Sequence, residues 1–179
     1  MILPLYHNYM RIIVITGDGK GKTTAALGMV LRAAGHGQRV CVVQFIKKDC
    51  GTGESRALEM LPGVEIYICG DGFVFKREGE LYEHHVHCAE TAMTLLQRKT
   101  AFGFDMIVLD EVCGAISLGL ISVEGVLGLM ENAPDDTVFV LTGRDAPAEL
   151  IQKADTVSRI ECVKHGIDAG IPAQEGVEM

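Results

Sequence analysis

The stretch Ile12-Ile13-Val14-Ile15-Thr16-Gly17-Asp18-Gly19-Lys20-Gly21-Lys22-Thr23-Thr24 decides the fold. Four apolar residues lead into a glycine-rich turn, and a small-residue helical stretch, Ala25-Ala26-Leu27-Gly28-Met29-Val30-Leu31, follows. Strand, glycine turn and helix start in that order make a P-loop. Gly17, Gly19 and Gly21 let the backbone curl so that its N–H groups point inward at phosphate oxygens. The helix start adds unpaired N–H groups and the positive end of its dipole. The expected nucleotide-binding set is Gly17, Asp18, Gly19, Lys20, Gly21, Lys22, Thr23 and Thr24, with Lys22 on the outer phosphates and the Thr23 hydroxyl offered to Mg²⁺. One position departs from the G-x-x-x-x-G-K-[ST] pattern, whose first glycine is here Thr16. The competing reading, a structural turn with no phosphate, is weakened by the strand–turn–helix context.

Outward from the loop, strands alternate with helices. Arg11 to Ile15 reads as a strand buried on both faces, as in a parallel sheet. A helix runs from Thr23 to about Ala34 and stops at Gly35-His36-Gly37. Arg39 to Phe45 is the second strand, followed by a polar loop, Lys47 to Gly53, at the sheet edge where α/β proteins bind ligands. A short helix, Glu54 to Leu61, ends at Pro62-Gly63, and Val64 to Ile68 is a third, more peripheral strand. Phe73 and Phe75 follow a glycine turn and point to one side if the segment is extended. Such a pair suits a large flat ligand or simply the core. Glu78 to about Thr100 reads as a long helix with Leu81, Val86, Ala89, Ala92, Met93, Leu95 and Leu96 among its apolar positions.

Asp105-Met106-Ile107-Val108-Leu109-Asp110-Glu111 is an apolar strand ending in two carboxylates, the Walker B pattern. Asp110 or Glu111 would hold Mg²⁺ beside Thr23, directly or through water. An acidic helix cap is the other reading, and the P-loop upstream weakens it. Ser122 caps a helix from Val123 to Met130. Thr137 to Thr142 is a buried strand, and Gly143-Arg144 stands at its C-terminal end. Arg144 there suits a phosphate, a substrate carboxylate or a surface salt bridge. Pro147 starts a short helix, and Thr156 to Glu161 is a last strand. The expected fold is therefore α/β: a P-loop NTPase of RecA-like arrangement, with a mostly parallel sheet, helices on both faces, and the two motif strands separated by another. Residues 1–179 form one domain, with a core over 11–163 and a tail over 164–179 that is either an ordered loop or a flexible end.

Bulk properties narrow the function. Hydrophobic content of 48% with 22% charged residues is a soluble globular composition, and no apolar run reaches bilayer length. Met1 to Asn8 lacks the basic and long apolar regions of a secretory signal, which makes the cytoplasm the expected compartment. A net charge of −8 argues against broad binding to nucleic acid or to an anionic membrane. The six cysteines (41, 50, 69, 88, 113 and 162) form no C-x-x-C pair and read as reduced thiols. His84, His85, His87 and Cys88 read as a polar, solvent-facing helix start rather than a zinc site, because no second ligand group stands at zinc spacing. On these grounds three uses of the nucleotide remain: phosphoryl transfer to a small molecule, an NTP-driven switch or motor, and transfer of the adenosyl group itself.

The chain resembles the P-loop ATP:corrinoid adenosyltransferases. The similar segments are Thr16 to Gly28, Val43-Gln44-Phe45-Ile46-Lys47, Gly72-Phe73, Val108 to Glu111 and Leu141 to Arg144. They continue through Lys164-His165, Asp168-Ala169-Gly170, Ala173-Gln174 and Gly176-Val177-Glu178. The P-loop is common to many NTPases; its combination with Gly72-Phe73 and the Lys-His…Asp-Ala-Gly…Ala-Gln tail is far more specific. The resemblance implies that ATP is a co-substrate with Mg²⁺, and that Co(I) of cobalamin or a corrinoid precursor attacks its 5′ carbon. Triphosphate then leaves whole from a P-loop that holds it in reversed orientation. The implied catalytic set is Lys22, Phe73, Phe75 and Arg144, with Thr23 and Asp110 or Glu111 on the metal. The aromatic pair would exclude the lower axial ligand of cobalt. Phe75 stands where relatives often carry Trp. The resemblance also implies a homodimer and a flavoprotein reductase as electron donor. Only about ten residues precede the first strand, so the N-terminal helix with which some relatives cover a partner's corrin site is expected to be absent or replaced. The alternatives kept are a small-molecule kinase and a nucleotide-binding regulator on the same fold.

Overall fold

The computed structural model describes residues 11–48 and 51–177. Met1 to Asn8, Asp49, Cys50 and Glu178, read above from sequence, lie outside the described residues. Six parallel strands form one sheet in the order β3-β2-β4-β5-β1-β6. They are β1 (Arg11–Thr16), β2 (Val40–Gln44), β3 (Val64–Ile68), β4 (Met106–Asp110), β5 (Val138–Thr142) and β6 (Thr156–Arg159). The P-loop strand β1 and the acidic strand β4 are separated by β5, which is the RecA-like arrangement. Because every pair is parallel, all six C-terminal ends meet at one edge.

Alternation along the strands divides the core into two layers. Ile12, Val14, Cys41, Val43, Ile107, Leu109, Phe139 and Leu141 point to one face. There they meet α3 (Glu80–Thr100), α4 (Val112–Ser117), α5 (Val123–Glu131) and α6 (Ala148–Lys153). Ile15, Val40, Val42, Met106, Val108 and Val140 point to the other, against α1 (Lys22–Gly35) and α2 (Gly53–Glu59). Strands buried on both faces explain the unbroken apolar runs of β1, β2, β4 and β5. The peripheral reading of β3 holds, since it is an edge strand paired only with β2.

Three sequence expectations need correction. Leu81 faces solvent, 60% exposed, because the inward stripe of α3 runs through His85, Ala89, Ala92, Leu96 and Thr100. His85 is therefore buried, not part of a solvent-facing helix start; spacings of four and three place it on the stripe's period. His84 and Cys88 do share the neighbouring face, with Nε2 and Sγ 3.6 Å apart. The last strand stops at Arg159, and residues 160–161 run on over the P-loop. The tail carries a short 3₁₀ turn, Gly166–Ala169, capped by His165 Nδ1 accepting from the Ile167 N–H at 3.2 Å. Among the described residues every cysteine is a free thiol, and burial pushes Cys41 and Cys113 up to about 12. No helix among those residues is long and apolar enough to cross a membrane.

Candidate nucleotide and substrate site

The loop between β1 and α1 is shaped from outside itself. Ile160 N–H donates to the Thr16 carbonyl at 2.8 Å, and Gly19 N–H donates to the Ile160 carbonyl at 2.9 Å. The segment after β6 thus continues the sheet's ladder onto the loop. A side chain on Gly17 would place its Cβ 2.3 Å from the Ile160 carbonyl oxygen, at a φ of +103°. Gly21 also sits at positive φ, +110°, but in open space. This separates two roles for glycine. Gly21→Ala meets only the left-handed backbone penalty, about 1 kcal/mol, and should lower Tm by roughly 2–4 °C. Gly17→Ala adds a clash with backbone and should displace the loop, so nucleotide affinity falls as well as Tm. Equal affinities in the two variants would refute this division. Thr16, at the departure from the usual pattern, is buried, and its hydroxyl accepts the Ala146 N–H at 3.4 Å.

Lys22 is buried with its ammonium donating to the Gly19 carbonyl at 2.8 Å, folded over the loop. Asp18, Lys20 and Thr24 are exposed around it. Thr23, in the first turn of α1, donates its hydroxyl to Asp110 Oδ1 at 2.8 Å. The P-loop and the acidic strand, 87 residues apart in sequence, meet there.

Asp110 is fully buried and holds three donors. Thr23 and Thr142 hydroxyls bond Oδ1 at 2.8 and 2.7 Å, and the Gln44 amide bonds Oδ2 at 2.9 Å. Sequence reasoning missed Gln44 and Thr142 as parts of this site. Their signal was a lone polar residue at the C-terminal end of an otherwise apolar strand, on two strands that flank β4. Glu111 differs from its neighbour. Its backbone is left-handed at φ 61°, which swings the chain out of β4 into α4, and its N–H donates to Thr142 Oγ1 at 2.9 Å. The strand thus ends at Asp110, and Glu111 takes the N-cap position of α4 without a side-chain cap bond. Burial pushes its carboxyl above the usual range, and the neighbouring Asp110 adds to that; Lys22, Arg144 and Lys47 oppose both. Arg144 is exposed on the turn after β5, and among the described residues it forms no ion pair, so the salt-bridge reading finds no partner there. Thr23, Asp110 and Glu111 supply only oxygen donors at a helix start, a donor set that fits Mg²⁺.

Phe73 and Phe75 lie beyond the end of β3, at the same sheet edge. They are 79% and 84% exposed, with ring centroids 6.5 Å apart, while Val74 between them packs on the core. The core alternative for the pair is thereby removed. The segment is fixed to the end of β2: Cys69 N–H donates to the Gln44 carbonyl at 3.0 Å and Gly72 N–H to the Ile46 carbonyl at 2.9 Å. A Cβ on Gly70 would sit 2.3 Å from Ile46 C, so this approach needs glycine. Asp71 pairs with Lys48 at 2.8 Å and with His84 at 3.3 Å, tying the segment to α3.

A P-loop on β1, a buried acidic residue at the end of β4 and a parallel sheet of this order define a P-loop nucleotide-binding α/β protein. The family model for ATP:corrinoid adenosyltransferase BtuR/CobO/CobP matches residues 9–179, and the chain belongs to that family. It is 37% identical over 167 residues to the corrinoid adenosyltransferase of Escherichia coli (strain K12), covering 93% of this chain and 84% of that protein. It is 38% identical over 173 residues to corrinoid adenosyltransferase CobA of Salmonella typhimurium (strain LT2), with the same coverage. Against the corrinoid adenosyltransferase of a Sinorhizobium species it is 40% identical over 172 residues, covering 93% of this chain and 79% of that protein.

Proposed function

We propose that this protein transfers the 5′-deoxyadenosyl group of ATP to Co(I) of cobalamin or a corrinoid precursor. The observation that carries the reading is the meeting of two features at one sheet edge. A P-loop after β1, with Thr23 on Asp110, and an aromatic pair beyond β3 that the fold holds out in solvent share the C-terminal edge of the sheet. A kinase or a regulator needs only the first.

The roles follow from the chemistry. Loop N–H groups from Gly17 to Thr24 and the Lys22 ammonium take the triphosphate. Thr23 with Asp110 or Glu111 would hold Mg²⁺, which neutralises charge on the departing triphosphate. The two electrons of Co(I) form the cobalt–carbon bond while the C5′–O bond breaks and its pair leaves on triphosphate. Lys22 and the loop amides stabilise that growing charge without themselves reacting. Arg144, whose charge acts on Glu111, is the further cation available to the phosphates or to the corrin side chains. Phe73 and Phe75 face the corrin; apolar rings exclude water from the lower face of cobalt and cannot ligate it. That lowers the barrier to the one-electron reduction of Co(II), for which a flavoprotein reductase is the donor. We read the protein as cytoplasmic and homodimeric, with one domain whose core spans 11–163 and whose tail spans 164–179. It needs no nucleic acid.

The test is a product analysis under anaerobic conditions with ATP, Mg²⁺ and chemically reduced cobalamin. A light-sensitive alkylcobalamin rising in step with inorganic triphosphate is the expected result. ADP, or no corrin change, would turn the reading to a kinase or regulator. For the aromatic pair, Phe73→Ala and Phe75→Ala should each lower activity about tenfold more when Co(II) is reduced on the enzyme than when free Co(I) is supplied. That factor is the size of one aromatic contact, ~1.4 kcal/mol. An equal loss in both assays would sink the axial-ligand role.

A further inference from the structure

Gln44 is the last residue of β2, 1% exposed, in register beside Asp110. Its amide Nε2 bonds Asp110 Oδ2 at 2.9 Å, while Oδ1 on the same carboxylate takes the Thr23 and Thr142 hydroxyls at 2.8 and 2.7 Å. A buried carboxylate with one oxygen free would pivot about its last torsion, which is broad for Asp. Here the amide holds one oxygen toward β2, and the other is thereby turned to the P-loop helix. The residue type matters. A lysine at this position would orient Asp110 but also discharge it. An apolar side chain would leave Oδ2 buried with no donor, a cost on the order of a full desolvation penalty. Glutamine is a neutral donor: it fixes direction and leaves the charge available.

We propose that Gln44, with Thr142, is a positioning residue that aims Oδ1 of Asp110 at the metal side of Thr23. This rests on the reading that Thr23 and Asp110 serve the Mg²⁺ of the bound triphosphate. The backbone of Gln44 has a separate duty, since its carbonyl holds Cys69 at the root of the aromatic segment. A side-chain substitution therefore touches the nucleotide side alone.

The experiment measures ATP affinity calorimetrically, with Mg²⁺ and with chelator, for the full chain and for Gln44→Met, Thr142→Val, Thr142→Ser and Asp110→Asn. Cob(II)alamin affinity and Tm are followed in parallel. In Gln44→Met the gain in ATP affinity on adding Mg²⁺ should shrink about tenfold or more, the usual effect of losing a partner behind a ligand. Affinity in chelator and for cob(II)alamin should stay within about twofold, because the lost bond acts on Asp110 alone. Thr142→Val should behave similarly, and Thr142→Ser, which keeps the hydroxyl, should retain the gain. An unchanged Mg²⁺ gain in Gln44→Met overturns the proposal, as does an equal loss with and without Mg²⁺. If Gln44→Met does not fold, the Thr142 contrast decides, and equal gains in the Val and Ser variants overturn it. If Asp110→Asn itself keeps the full gain, the metal reading falls and the proposal with it. Loss in Asp110→Asn without loss in Gln44→Met refutes the positioning role alone.

Discussion

Lys22→Ala should slow adenosyl transfer about 10³-fold, ~4 kcal/mol of transition-state stabilisation, with most of the loss in kcat. The ammonium donates to the Gly19 carbonyl of the loop, and the role proposed for it puts it on the triphosphate there. Charge on the leaving oxygen grows as the C5′–O bond breaks, and a fixed cation interacts more strongly with that state than with bound ATP. Stability should change little, because one hydrogen bond is lost while a buried ammonium is removed. Cob(II)alamin binding should be unaffected, since the aromatic segment hangs from β2 and not from the loop. Single-turnover triphosphate release measures the effect. A decrease of less than about tenfold would mean that this lysine is not the main cation on the leaving group.

Asp110→Ala should be the most destabilising substitution at the site. It removes the acceptor of three donors at once, and two of them, on Gln44 and Thr142, are themselves buried. Leaving them unpaired costs about 2–4 kcal/mol, a fall in Tm of roughly 4–16 °C for a chain of this size. Asp110→Asn separates structure from charge. The Gln44 amide can flip so that its oxygen accepts from the new side chain, and the two hydroxyls can still donate to the remaining oxygen. Asn should therefore hold Tm within roughly 5 °C of the parent, on about 1 kcal/mol per rearranged bond. Both variants should nonetheless lose about 10²-fold or more in Mg²⁺-dependent turnover. Melting curves alongside initial rates check this. Parallel loss of Tm and rate in the two variants would reduce Asp110 to a structural role.

The same carboxylate shows where sequence reasoning ended. Asp110 and Glu111 are adjacent and of one chemical type, so spacing left them equivalent as metal ligands. The fold makes them unlike. β4 carries Asp110 straight into a closed ring of donors from α1, β2 and β5. The left-handed turn at Glu111 throws the next carboxylate out toward Lys22, Arg144 and Lys47. Phe73 and Phe75 show the reverse case. Their spacing placed them on one side, but whether that side was core or solvent depended on Val74 finding the core and on Gly70 packing against Ile46.

By itself the sequence determined what is local or periodic. The P-loop, its helix, the doubly buried strands and the acidic end of β4 all follow from residues within a few positions of one another. Apolar runs, glycines and a Lys-Thr pair need no distant partner to declare their geometry. Only the tertiary structure decided what long-range pairing controls. It laid residues 160–161 over the loop and so fixed Gly17. It turned His85 inward and left Leu81 outside. It also brought Gln44, Thr142 and Thr23 onto one carboxylate. Each of those contacts joins segments dozens of residues apart, and strand order, which no local pattern encodes, sets which of them become neighbours.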